Sequence, residues 1–159
     1  MTSAKIITTD ELKIDPVPTM RLRLQPPPIA SKDPSWLSKE YWIRMFQRAE
    51  AEAEFESHAS PEATRRNKER LRKIEKDIQD KIHQQFQKVE KEMENLTEQQ
   101  QVDVITFWSG VRTFLTDILD WLSRVFNDIL EKIREGWRLV KETVKEIFKR
   151  AYDAMKSIF

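Results

Sequence analysis

The sequence predicts an all-α protein: long helices forming a helical hairpin or bundle, or an extended coiled-coil-like rod. Three observations point there. Only two glycines occur in 159 residues, so the turn residues that tight sheet hairpins need are missing. All seven prolines lie at or before Pro61, which leaves the C-terminal stretch without a proline breaker. Charged residues make up 35%, dominated by Glu, Lys and Arg, which are good helix formers.

The length is that of one domain. Residues 1–33 are expected to be a disordered, Pro-rich arm, because Pro26–Pro28 favour extended polyproline II geometry. Within the arm, "MRLRLQ" alternates Met20, Leu22 and Leu24 with Arg21 and Arg23. That pattern suits either a mobile basic arm or a strand added to another sheet's edge. Residues 34–159 are expected to be a single helical domain.

Helix one is predicted over about 34–57. Asp33 suits the N-cap and Pro34 the first helical position. Leu37, Tyr41, Trp42, Met45, Phe46, Ala49 and Ala53 then follow helical spacing. Helix two is predicted over 61–95, with Ser60 as cap and Pro61 at the first position. Its apolar residues, from Leu71 through Ile74, Ile78, Ile82 and Phe86 to Leu96, recur every three or four positions. They form a narrow stripe on a charged helix, as in a coiled-coil seam or hairpin arm. "ENLTEQQ" offers a break, since Thr97 followed by Gln100 is a capping-box pattern.

Helix three is predicted over about 98–158, with a hinge near Gly136. Placed at ~100° per residue, one face carries Trp108, Val111, Leu115, Ile118, Leu122, Val125, Ile129 and Ile133, then continues through Trp137 to Ile158. Over 102–130 the apolar arc spans roughly 200°, because Phe107, Phe114, Trp121 and Phe126 widen it. Over 131–159 the arc narrows and eight basic residues face five acidic ones. Glu135, Glu142, Glu146 and Asp153 lie opposite the apolar face, with Lys132, Arg134, Lys141, Lys145 and Arg150 nearer its edges. Such edge bases can snorkel past a lipid surface. This C-terminal pattern is similar to the amphipathic helices of exchangeable apolipoproteins, and the resemblance implies a lipid-facing helix.

Helix two is too poor in apolar surface to cover a 200° arc. A partner-binding or membrane-binding face is therefore expected at Phe107, Trp108, Phe114, Leu115, Ile118, Trp121, Leu122, Val125, Phe126, Ile129 and Trp137. The alternatives are helix one, a fold-back at Gly136, or a second copy of the chain.

A basic patch is expected at Arg65, Arg66, Lys68, Arg70, Arg72 and Lys73. Its outward readings are an anionic lipid surface, nucleic acid or a nuclear localisation signal. Its inward reading is pairing with Glu50, Glu52, Glu54 and Glu56 across the turn. Nucleic acid is disfavoured, because no aromatic residues interleave the patch.

No catalytic constellation stands out, so an enzyme is not expected, nor is a cofactor or metal. The chain lacks cysteine, and its histidines, His58 and His83, lie far apart. The pair Asp80 and His83 has one-turn spacing but no second motif of its kind. Two glycines hardly suffice for a phosphate loop. A formal net charge of +1 marks no obvious polyanion binder. No signal peptide or spanning run is recognised, which suggests an intracellular protein, cytoplasmic or peripheral at a membrane. The expected function is that of a non-enzymatic amphipathic-helix protein that associates with anionic lipid surfaces and self-assembles, membrane perturbation being one outcome. The alternative is a coiled-coil scaffold acting through protein–protein contacts. A homo-oligomer is expected in both cases.

Overall fold

A computed structural model describes residues 5–20, 27, 39–58 and 60–158. Its elements are four helices: α1 (Lys39–Glu52), α2 (Pro61–Met93), α3 (Glu98–Arg134) and α4 (Lys141–Met155). The described residues contain no strand, only one isolated parallel bridge between Ile6 and Arg138.

The caps that start α2 and α3 are those the sequence marks. Ser60 Oγ accepts from the Ala63 backbone N–H at 3.0 Å, and Pro61 opens the helix. Thr97 Oγ1 accepts from Gln100 N–H at 3.2 Å, while Gln100 Oε1 accepts from Thr97 N–H at 3.0 Å. This reciprocal pair satisfies two donors left open by the first turn. It separates α2 from α3, so the two do not run on as one rod. The start assigned to helix one, at Asp33 and Pro34, lies outside the described residues, as do Trp36 and Leu37. Helix one ends at Glu52, short of residue 57.

The helix predicted over 98–158, with a hinge near Gly136, is two helices that part at that hinge. Gly136, at φ +99°, ends the first of them. The Trp137 N–H donates to Lys132 O and the Gly136 N–H to Ile133 O, both at 3.0 Å. These bonds make a Schellman stop with glycine in its left-handed position. The chain then turns back, and α4 begins at Lys141. Gly110 leaves α3 unbroken.

α2 and α3 form an antiparallel hairpin, each about 50 Å long at 1.5 Å per residue. Its register shows where Ser123 donates to Glu75 and where Arg112 sits 5.1 Å from the Phe86 ring centroid. At the open end of the hairpin, α1 folds back along α2 and α4 along α3. There α1 and α4 lie antiparallel, with the Tyr152 hydroxyl bonded to Glu50 and Lys39 Nζ to Lys156 O.

Together these elements cover the wide arc of α3. Trp42 of α1 meets Trp108 with ring centroids 5.5 Å apart. Phe55, just after α1, stacks on Phe126 at 5.0 Å, and Phe148 of α4 reaches Phe126 at 5.6 Å. Part of the N-terminal stretch closes the remaining side. Ile7 and Leu12 are buried, and the Trp121 indole N–H donates to Asp15 O at 2.8 Å. Backbone bonds join Ile7 N–H to Arg138 O and Arg138 N–H to Lys5 O. Thr143 Oγ1 donates to Ile7 O at 2.8 Å.

Residues 5–20 are therefore packed on the helices, which corrects the expectation of a disordered arm over that part. Short irregular segments have no hydrophobic period, so the sequence hides their two anchors. Pro27 is also buried. The "MRLRLQ" reading lies outside the described residues except at Met20, which packs against the core.

Candidate interaction surfaces

The apolar residues assigned to a binding face are core. Phe107, Trp108, Phe114, Leu115, Ile118, Trp121, Leu122, Val125, Phe126 and Ile129 are all buried within this one chain. Each such side chain contributes ~1.5–3 kcal/mol by leaving water, and the fold already takes that gain. Trp137 alone stays partly open, with Lys5 Nζ and Lys132 Nζ 5.4 and 5.2 Å from its ring centroid. The arc was too wide for helix two, as its spacing indicates, but three further elements share it.

The basic patch divides. Glu56 sits just before α2 and takes two of the six bases. Arg66 Nε donates to its Oε2 at 2.6 Å, Arg66 Nη2 to its Oε1 at 2.7 Å, and Arg70 Nη1 to its Oε2 at 3.2 Å. The buried Asn67 side chain fixes the Glu56 backbone, accepting from its N–H at 2.8 Å and donating to its carbonyl at 3.1 Å. The Arg66 hydrogen bonds hold the Glu56 carboxyl below the usual carboxylate range, against some desolvation. Glu50, Glu52 and Glu54 make no ion pair with this patch among the described residues.

Arg65, Lys68, Arg72 and Lys73 are exposed, and none makes an ion pair among the described residues. Arg65, Lys68 and Arg72 recur at helical spacing and share one face of α2. That face borders a depression of about 440 Å³ lined by Ser60, Pro61, Thr64, Arg65, Lys68 and Arg134. Arg134, from the end of α3, also pairs with Glu131 at 2.6 Å. Over 60–73 there are six bases and two acids, and Glu56 pairs with two of the bases, so the four exposed ones keep a local excess of positive charge.

The opposite end of the hairpin has the reverse chemistry. Residues 89–105 hold five acids and one base. Glu90, Glu92, Glu94 and Glu98 are exposed and make no ion pair among the described residues. After them on α3 come Val102, 57% exposed, and Ile105, 49% exposed. These two and Ile6 are the exposed large apolar residues among those described. Val102 and Ile105 were not singled out from the sequence. The available signal was their position: both are apolar, one turn apart, and off the stripe that starts at Trp108.

A larger cavity of about 840 Å³ lies between the end of α1 and the start of α4, lined by Phe55, Leu139 and Val144 together with Glu54, Arg138 and Lys145. Among the described residues, no group of three or more His, Asp or Glu is placed to hold a metal ion. His58 lies 3.8 Å from Glu56, and His83 is exposed on α2. No helix among the described residues is long and apolar enough to cross a membrane. Comparison with protein-family models, with curated proteins and with solved structures finds no match for the chain.

Proposed function

We propose that this chain is a non-enzymatic scaffold protein that acts through protein–protein contacts, self-association first among them. One observation carries the reading: the hairpin keeps exposed, unpaired charge at both ends among the described residues, Arg65, Lys68, Arg72 and Lys73 at one and Glu90, Glu92, Glu94 and Glu98 at the other. The acidic end also keeps Val102 and Ile105 in water. Those features add nothing to the stability of a lone chain, and like charges crowded on one helix weaken it. They suit association instead, where complementary charge steers encounter and fixes register. Light scattering on a size-exclusion column tests this. Mass should rise above that of one chain as concentration enters the micromolar range. A monomer at every concentration contradicts it.

A second reading is peripheral association with an anionic membrane surface. The exposed row Arg65, Lys68 and Arg72 favours it, since each base near such a surface contributes ~1 kcal/mol. It does not use the apolar arc, which is occupied inside the molecule. Flotation with vesicles rich in acidic lipid distinguishes it: protein that stays at the bottom of the gradient at low salt removes this reading.

A further inference from the structure

We infer that copies of this chain join head to tail, the acidic apolar tip of one hairpin docking on the basic depression of the next. The inference rests on the scaffold reading and specifies its partner as a second copy.

Both surfaces belong to the same α2–α3 hairpin, and they lie about 50 Å apart. That is several Debye lengths at physiological salt. Neither end can therefore neutralise the other within one molecule. The tip offers Val102 and Ile105 one turn apart, with Glu98 one turn before Val102 on the same helix. The depression is lined by Pro61, Arg65 and Lys68 together with Ser60, Thr64 and Arg134. Aliphatic stems of Arg and Lys cover apolar surface while their heads stay wet. The tip's side chains would rest on those stems and its carboxylates would meet the heads.

Charge decides between the two ways of using the tip. Tip against tip brings a net −4 over 89–105 against another −4, which repels. Tip on base brings −4 against the net +3 of 56–73, the pairing acid Glu56 included, which attracts. A contact between different surfaces, one per copy, does not close on itself unless its rotation makes a ring. The ends of two helices bury little area, well under a standard interface of ~1,600 Å². Association is therefore weak, and much of it is electrostatic.

Two variants test the geometry. V102S/I105S removes the apolar tip, and R65E/K68E reverses the basic end. All four positions are exposed, and circular dichroism with a thermal melt checks that both variants keep the fold. The wild-type chain of 19.0 kDa should gain mass with concentration without levelling off at a dimer. Raising salt from ~50 mM to ~0.5 M should lower the association constant at least about tenfold. Each variant alone should stay monomeric. Mixed, they retain one live contact and should stop at a dimer of one copy of each.

A wild-type dimer that levels off, is lost in V102S/I105S and is untouched by R65E/K68E overturns the head-to-tail geometry. It leaves the scaffold reading standing. A monomeric wild type overturns both. A monomer whose flotation on acidic vesicles is lost in R65E/K68E overturns them too, and assigns the basic end to lipid.

Discussion

At φ +99°, Gly136 holds a backbone conformation that L side chains rarely adopt, and its site has no heavy atom within 4 Å of an added Cβ. The strain in G136A is therefore backbone strain alone, of ~1–2 kcal/mol. For a chain of this size that corresponds to a fall in Tm of about 3–8 °C. G136N should lose less, because Asn tolerates the left-handed region. Equal melting of both variants and wild type contradicts the stop as drawn. Glu56 makes a second residue-scale prediction. Its carboxyl is held below the ordinary value of 4.5. A group whose folded pKa is depressed contributes stability above its unfolded pKa and loses it as pH falls through the folded one. Acid unfolding should therefore steepen below about pH 4.5, and E56Q should flatten that slope. Tyr152 has the opposite sense: burial, then the Glu50 hydrogen bond, raise its phenol. Its contribution is complete below the unfolded value of 10.0 and fades as pH rises above it. Y152F should remove that alkaline loss.

Among the elements, α3 carries the core, and Phe126 is its meeting point with Phe55 and Phe148. F126A should cost ~3–5 kcal/mol, since the three-ring stack leaves a cavity behind. Urea denaturation measures it, and a loss under ~1 kcal/mol would mean the stack is absent. The caps at Ser60 and Thr97 and the stripes of α2 and α3 were legible in the residues themselves, because capping and periodicity are local signals. The fold-back after Arg134 was legible only as one alternative, through the hinge at Gly136. The apolar stripe keeps its phase from Ile133 to Val144, so periodicity cannot register the break. Gly136 after Lys132 and Arg134 in a last turn was the one available sign. The packing of Ile7 and Leu12 was hidden for another reason. The bonds that seat Ile7, to Arg138 and Thr143, join residues more than a hundred positions apart. Nothing local announces such a contact.

For the whole molecule, the buried residues of α3 run from Val104 to Ile133 on a broad face, but what covers that face is a matter of topology. A 200° arc can be closed by lipid, by copies or by four internal elements, and the sequence pattern is the same for each. Here α1, α2, α4 and the 5–20 segment close it, and the exposed chemistry moves to the hairpin's two ends. The Glu56 pairing takes two of the six bases from the sequence's basic patch in the same way: local charge counts are visible, while which of the nearby acids absorbs them is decided by the turn before α2. The absence of cysteine from the chain allows a direct test of this inside-out assignment. Single-cysteine variants L115C and I105C report on the arc and on the tip. In dilute monomer, I105C should react with a maleimide at nearly the rate of a free thiol. L115C should react at least ~10³-fold more slowly, because it is reached only through unfolding, and acidic vesicles should leave that rate unchanged. L115C reacting as fast as I105C, or shifting its rate when vesicles are added, would contradict a covered arc.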